Sequence, residues 1–393
     1  MLVLTLKAGR DAAPRRRHPW LFAGSVSRRG GEATSAQVEA RDASGALLAR
    51  GFHSPSSPIV ARWWRFDDGP LDEPFVAARI AGAAALRRAV VPPDTDGYRL
   101  VNAEGDSLPG LVVDRYAEVL VVQATTEGTE RALPLWLPSL KTLAGPQGAV
   151  MQKNDLASRE GEGLPTGDVL LSGAAFPQRV AFRERGLHYL AEVAGGQKTG
   201  FFLDQRENRA LVRELSAGKR VLNLFSYSGG FGVSAMAGGA LRVSHVDASA
   251  AALELAREHH RLNGQPLEAV ETECADVFED LRRRVAKGET WDVIVTDPPA
   301  FAKRREDVDR ACRGYKDINR LALKLLAPGG TLLACSCSGP VDADLFQKVL
   351  FAASLDAGVP ARLLERRGAG PDHPVSLDCP EGDYLKAFRL VRG

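Results

Sequence analysis

Cysteine is scarce in this chain. There are five in 393 residues, an odd number with no regular spacing. That argues against a disulfide scaffold and for a reducing compartment. Long apolar runs are also missing: the longest fall well short of the roughly 20 residues of a membrane span. The opening stretch MLVLTLKAGR lacks the charged start and cleavage pattern of a signal peptide. A cytoplasmic protein with no membrane partner is the expectation. No repeat or low-complexity tract occurs, and a net charge of +2 selects no partner by itself. What is present is 45% apolar residues, enough for real cores, in a chain longer than one core usually holds. Two or three domains follow.

Charge distribution says more than net charge. Residues 1–65 carry eleven Lys plus Arg against four Asp plus Glu, and Arg15, Arg16 and Arg17 stand beside His18 and Trp20. A basic patch next to aromatics suits contacts to nucleic-acid phosphates and bases, although a solvated arginine-rich face has the same composition. Segment 1–68 reads as a small β domain. VEARDASGALLARGFH is two alternating runs around Asp42-Ala-Ser-Gly45, PIVARWWRF is another strand, and FDDGPLDEP breaks the pattern. Segment 69–185 reads as α+β. FVAARIAGAAALRRAV is helical by period, short strands turn at Gly105 and Pro109-Gly110, and VAFRERGLHYLAEV is a strand pair turning at Arg185-Gly186.

From 186 to 393 strands alternate with helices. RVLNLFS, LRVSHVD, WDVIVTDPP, TLLACSCS and YLKAFRLV are strands; SAAALELAREHHRLNG and DINRLALKLLAPGG are helices. Short apolar strands separated by helices predict a Rossmann-like parallel sheet covered on both faces.

Ligands of such sheets bind beyond the carboxyl ends of the strands. The first strand ends in NLFSYSGGFGVSAMA, where Gly229 and Gly230 permit close backbone approach and open a helix. The spacing is neither G-x-G-x-x-G nor a Walker loop, so a phosphate cradle is poorly supported. Asp247 ends the second strand, placed to accept hydrogen bonds from ribose hydroxyls, and Ser249 is placed to cap the next helix. Asp276 ends a third strand, where a carboxylate can receive an adenine amino group. Together these fit a nucleoside ligand without an obligatory pyrophosphate: S-adenosyl-L-methionine first, NAD second.

Asp297-Pro298-Pro299 follows a buried strand, and the two prolines fix the backbone behind the carboxylate. Phe301 offers a ring on which a flat base can stack. Cys335 and Cys337 lie two apart at the end of another strand, on one face. Cys335, the deeper, reads as a core thiol. Cys337 sits where Ser338 and Gly339 open the chain. No paired Cys or His spacing supplies the further ligands of a metal site. A nucleophile is the better reading. Carbon 5 of cytosine is too weak a nucleophile for a methyl sulfonium until a thiolate adds to carbon 6.

The stretches HPWLFAG, ARGFHSPSS, GDSLPGLVVDRY, KTGFFLDQRENR, NLFSYSGGFGVSA, TDPPAFAK, ACRGYKDIN and SCSG resemble, in order and nearly end to end, the PUA-containing bacterial 23S ribosomal RNA cytosine-5 methyltransferases. The resemblance implies a PUA-like domain, a central α+β domain and a C-terminal class I S-adenosylmethionine-dependent methyltransferase domain whose last strand runs antiparallel. It implies Cys337 as nucleophile, Asp297 assisting at the base, and ribosomal RNA and a second copy of the chain as partners. Implied cofactor contacts are Lys198, Thr199, Gly200, Phe202, Asp204, Gln205 and Arg206; Asn223, Phe225, Ser226, Tyr227, Gly229 and Gly230; Asp247, Ala248 and Ser249; Asn263; Asp276 and Val277; and Asp297. RNA contacts are expected at Arg15–Arg17, His18, Trp20, Phe301, Lys303, Arg304 and Arg305. Many RNA cytosine-5 methyltransferases carry a second cysteine after the prolines; here that place is Ala300, so product release cannot depend on it. Two other readings stay open: a guanine or exocyclic-amine methyltransferase with Cys337 structural, and a non-catalytic RNA-binding protein.

Overall fold

Adjacent residues of a strand face opposite sides, and Trp63 and Trp64 use that alternation to join two cores. They lie in the last strand of a six-stranded sheet built from Leu2–Leu6, Trp20–Phe22, Val26–Gly30, Gln37–Arg41, Leu47–His53 and Ile59–Arg65. Trp63 packs with Leu2, Leu4, Leu6, Val38 and Val60. Trp64 and Phe52 pack on the other side with Val76, Ile80, Leu100 and Trp136. The latter residues belong to helices Glu73–Val90 and Leu133–Ala144 and to a five-stranded sheet spanning residues 97–172. A boundary near residue 68 therefore falls inside one unit. The expected turns form: Asp42 accepts from the backbone N–H groups of Ser44 and Ala46, and Arg185 and Gly186 take the positive φ values of a tight hairpin turn.

This computed structural model describes residues 1–31, 36–155, 157–175, 177–196 and 198–393. The chain divides into two compact units. One is Met1–Gly186, Leu190–Leu203 and Pro371–Gly382; the other is Leu187–Tyr189, Asp204–Gly370 and Asp383–Gly393.

The second unit holds the alternating pattern. Its strands are β1 (Arg220–Leu224), β2 (Arg242–Asp247), β3 (Val270–Cys274), β4 (Trp291–Thr296), β5 (Leu326–Ser336), β6 (Ala361–Arg367) and β7 (Lys386–Arg392). Their order across the sheet is β3-β2-β1-β4-β5-β7-β6, with β7 antiparallel to both neighbours. The order reverses between β1 and β4, and that switch point is where the fold leaves room for a ligand. Helices α1 (Arg206–Leu215), α2 (Gly230–Ala237), α3 (Ala250–Leu262), α4 (Val277–Ala286), α5 (Val308–Leu325) and α6 (Ala343–Ala357) accompany the strands. Helix α5 starts nine residues before the expected Asp317 and stops at Leu325, because Pro328 forces the preceding backbone toward the extended region. The carboxyl ends of β1 to β5 carry Phe225, Asp247, Asp276, Asp297 and Cys337, Asp247 as the last residue of β2 and the others just beyond their strands.

Candidate active site

The turn after β1 is tightly wound. Phe225 and Tyr227 sit at φ values of 55° and 45°, a region costly for residues with a side chain, and Gly229 sits at 77°. A Cβ on Gly229 would lie 2.6 Å from the Ala256 side chain and 3.0 Å from His245, so helix α3 and strand β2 press directly on the turn. Asp247 holds the turn in place. One carboxylate oxygen accepts from the Tyr227 N–H at 2.7 Å and the other from Ser249 N–H at 2.9 Å. Ser249 caps α3 through the Ala252 N–H, as the sequence suggested, which leaves Asp247 free of that duty. A carboxylate offers about four acceptor positions, so two remain for ribose hydroxyls. Two buried polar atoms at this strand end have no protein partner: Asn223 Oδ1 in β1 and Ser226 Oγ in the turn after it. Orphaned groups of this kind call for a ligand or water. Asp276 caps α4 by accepting from Glu279 N–H and is otherwise exposed at the end of β3.

Strands β4 and β5 are parallel neighbours, with Thr296 beside Ala334, so their ends converge. The Cys337 sulfur lies 3.9 Å from the Pro298 carbonyl oxygen. The two cysteines differ sharply. Cys335 is completely buried; burial pushes its thiol well up, and the charge of Asp297 pushes it further. It packs with Val293, Val295 and Leu333. Cys337 lies beyond the last strand residue and is half-buried. Ser338 fixes the surroundings: its hydroxyl accepts from the Ala302 N–H at 3.0 Å and pairs with the Tyr315 hydroxyl at 2.9 Å. The rigid loop 297–302 is thereby tied to the cysteine segment. Phe301 closes this cluster, 4.8 Å from the Tyr315 ring and 6.4 Å from Phe278.

Comparison with known proteins agrees with this geometry. Residues 113–383 match the S-adenosylmethionine-dependent methyltransferase family, and residues 4–66 match a PUA-like domain. The chain belongs to the S-adenosylmethionine-dependent methyltransferase family. It is 43% identical over 388 residues to ribosomal RNA large subunit methyltransferase I of Klebsiella pneumoniae, covering 98% of this chain and 97% of that protein. The Escherichia coli protein of the same name is 42% identical over 388 residues, covering 98% of each chain. A candidate methyltransferase of Streptococcus mutans shares the fold over 100% of both chains, with a TM-score of 0.84 at 21% identity. Another, solved in complex with SAH, gives a TM-score of 0.85 at 22% identity, again over 100% of both chains.

S-adenosylmethionine is the cofactor of this methyltransferase, and the residues after β1 to β3 fit it better than NAD. They offer carboxylates and hydroxyls but no phosphate cradle. Other residues expected at the cofactor are placed differently. Asn263 sits at the far end of α3, about 20 Å of helix away from the strand ends. Its side chain is spent there, donating to the His188 and His259 carbonyls and accepting from the His188 N–H. Val277 faces the core. Ala248 is exposed beside Asp247. Lys198, Thr199, Gly200 and Phe202 belong to the first unit. There Lys198 stands 4.4 Å over the Phe202 ring, and the Thr199 hydroxyl bonds Tyr116 and Asp114. Gly200 takes φ 127° against Ala191 and Glu192. Asp204, Gln205 and Arg206 belong to the second unit and are buried. Asp204 accepts from the Tyr384 hydroxyl at 2.6 Å, Gln205 bonds the Cys335 thiol, and Arg206 pairs with Glu207.

The expected RNA contacts divide in the same way. Arg16 and Arg17 are exposed, Arg17 standing 5.9 Å over the Phe66 ring, and among the described residues neither makes an ion pair, whereas Arg15 is held between Asp11 and Asp42 at 2.6 Å each. Trp20 Nε1 donates to Glu104 at 2.9 Å. Lys303, Arg304 and Arg305 are exposed beside the DPP loop. His18, Cys379 and Glu381 meet within 4.8 Å, a grouping the sequence did not reveal. Their bonding is that of a hydrogen-bond cluster. His18 Nδ1 accepts from the Trp20 N–H, so Nε2 carries the proton and faces Glu381. Burial, then Glu104 and Glu381, push the Cys379 thiol up to about 12, far from thiolate. Among the described residues no helix is long and apolar enough to cross a membrane.

Sequence reasoning missed Tyr315 and Lys386. A lone lysine opening an apolar closing strand was the available signal for the second.

Proposed function

We propose that this methyltransferase modifies carbon 5 of a cytosine in large-subunit ribosomal RNA, with Cys337 as covalent nucleophile. The observation that carries the reading is the 3.9 Å approach of the Cys337 sulfur, after β5, to the Pro298 carbonyl oxygen, in the loop that Asp297 opens after the neighbouring parallel strand β4. The ribosomal substrate rests on the names of the relatives and on the PUA-like segment with its exposed arginines. Transfer to an exocyclic amine needs no thiol, and Cys335 already fills the structural role a cysteine has there.

The thiolate of Cys337 adds to carbon 6, and the ring's 5,6 electron pair makes carbon 5 nucleophilic. Asp297 holds the base edge and orients the ring. The cofactor supplies an electrophilic methyl group when bound. After carbon 5 has gained that methyl, loss of its proton lets the sulfur–carbon 6 bond break and frees Cys337. Ser226, Tyr227, Gly229, Asp247 and Asp276 hold the cofactor. The cytosine must leave its stack to reach a strand-end sulfur, at a cost of a few kcal/mol. Phe301 walls the place that receives it.

Replacing Cys337 with Ala tests this directly. The variant is expected to lose at least 1,000-fold in methyl transfer while binding S-adenosylmethionine within twofold of wild type. Nucleoside mass spectrometry of the RNA product should show 5-methylcytidine. Undiminished turnover by Cys337→Ala, or a methylated guanine or amine as product, overturns the reading.

A further inference from the structure

Lys386 is the first residue of β7, paired in antiparallel register with Ser336 of β5, one residue before Cys337. Only 6% of it is exposed. Its Nζ donates to the Ser338 carbonyl at 2.8 Å and to the Tyr384 carbonyl at 2.7 Å, and among the described residues no carboxylate lies within ion-pairing distance. A buried amine with no carboxylate partner is costly to keep charged. Two carbonyls occupy two of its N–H bonds, and the third position on nitrogen is left for a proton. Burial pulls the Lys386 ammonium down. The group whose charge most strongly restores it is Cys337, ahead of Asp383 and Asp342. Cys337 also acts on the neighbouring Cys335 thiol and Tyr315 hydroxyl, and Asp297 after β4 and Asp204 before α1 act on that same Cys335 thiol. Lys386 is a cation whose charge acts in favour of a thiolate at Cys337.

We propose that Lys386 is a positioning residue for the methylation chemistry: it takes the proton of the Cys337 thiol and holds the resulting thiolate as an ion pair. The proposal rests on the reading of Cys337 as nucleophile. The step balances within the protein. The S–H bond breaks, an N–H bond forms on Nζ, and the sulfur keeps the electron pair that later attacks carbon 6. Release of the sulfur at the end restores the same pair, ready for the next turnover. The backbone carbonyls make the arrangement specific to an amine on this strand: they orient Nζ but carry no net charge to compete with the sulfur.

The test measures alkylation of Cys337 by iodoacetamide against pH, with peptide mass spectrometry resolving Cys337 from the other four cysteines. No RNA is needed, so its outcome is separable from that of the methyl-transfer assay. In wild-type protein the midpoint is expected at least one unit below the roughly 8.5 of a free thiol. Lys386→Met should move the midpoint up by at least a unit and slow alkylation at pH 7 about tenfold, with S-adenosylmethionine affinity unchanged. Lys386→Arg, which keeps the charge, should restore most of the alkylation rate. A wild-type midpoint at or above that of a free thiol overturns the proposal without any variant. So does an unshifted midpoint in folded Lys386→Met.

Discussion

Cys335 and Cys337 show how far two residues can separate two identical side chains. The first lies within β5 among Val293, Val295 and Leu333 and is sealed; the second lies past the strand end and meets a carbonyl of the DPP loop. That contrast was legible in the sequence, because strand length and the Ser338-Gly339 opening fix which cysteine is deeper. Lys386 was not legible. Its role depends on the antiparallel register of β7 against β5, and no local pattern states which strand a closing segment will join. Asn263 went the other way. The family resemblance implied a cofactor contact there, but one helix length separates it from the strand ends. Gly229 was legible as a glycine but not in its reason, which is the pressure of Ala256 and His245 on a left-handed turn. Gly229→Ala should cost about 1–3 kcal/mol from overpacking, with about 1 kcal/mol more for the backbone conformation. Thermal denaturation should register that loss, and titration should show S-adenosylmethionine binding weakened at least tenfold.

At the level of elements, the buried parallel strands were the easiest to read, because they are apolar on both faces. Strand β6 escaped: its ARLLERR sequence sits at the sheet edge with alternate residues exposed, and its charges resemble a helix surface. A chain of polar side chains crossing from α3 to β1 was equally hidden. His260 Nδ1 donates to Gln265, His245 Nε2 meets His260 Nε2 at 2.9 Å, and Asn223 Nδ2 meets His245 Nδ1 at 3.2 Å. Burial holds His260 down at about 4 and His245 well below the usual imidazole range. Both are neutral in the fold, whereas in the unfolded chain they titrate near 6.5. The unfolded state therefore binds protons the folded state does not, and stability present at neutral pH drains away as pH falls from about 6.5 toward 4. Each histidine contributes up to about 1.4 kcal/mol per pH unit in that window. Urea unfolding should show a loss of about 2 kcal/mol or more between pH 6.5 and 5, and His260→Gln should flatten the dependence.

Across the whole molecule, composition gave the class and the alternation of strands and helices gave the large sheet. The two compact units were harder, because residues 187–189 leave the first unit for the second and segment 371–382 rejoins the first from a distant part of the chain. No window of sequence carries that information. The basic N-terminal segment was visible, yet only the structure separates an arginine held by carboxylates from those that, among the described residues, make no ion pair. Arg16 and Arg17 should contribute to RNA binding through phosphate neutralisation, and Arg15, held by Asp11 and Asp42, should contribute little. In binding titrations across salt concentrations, Arg16→Ala with Arg17→Ala should lower the slope of log affinity against log salt by about 1 to 2. Arg15→Ala should leave it nearly unchanged.

The central claim is a bond between one sulfur and carbon 6 of a pyrimidine, and trapping that bond tests it most directly. In RNA carrying 5-fluorocytosine the fluorine cannot depart as a proton does, so the sulfur should stay attached after methyl transfer. Intact-protein mass spectrometry should find the RNA adduct in wild type, fragmentation should place it on Cys337, and Cys337→Ala should show none. An adduct on another residue, or methylation of ordinary RNA with no adduct ever trapped on the fluorinated one, would contradict the account.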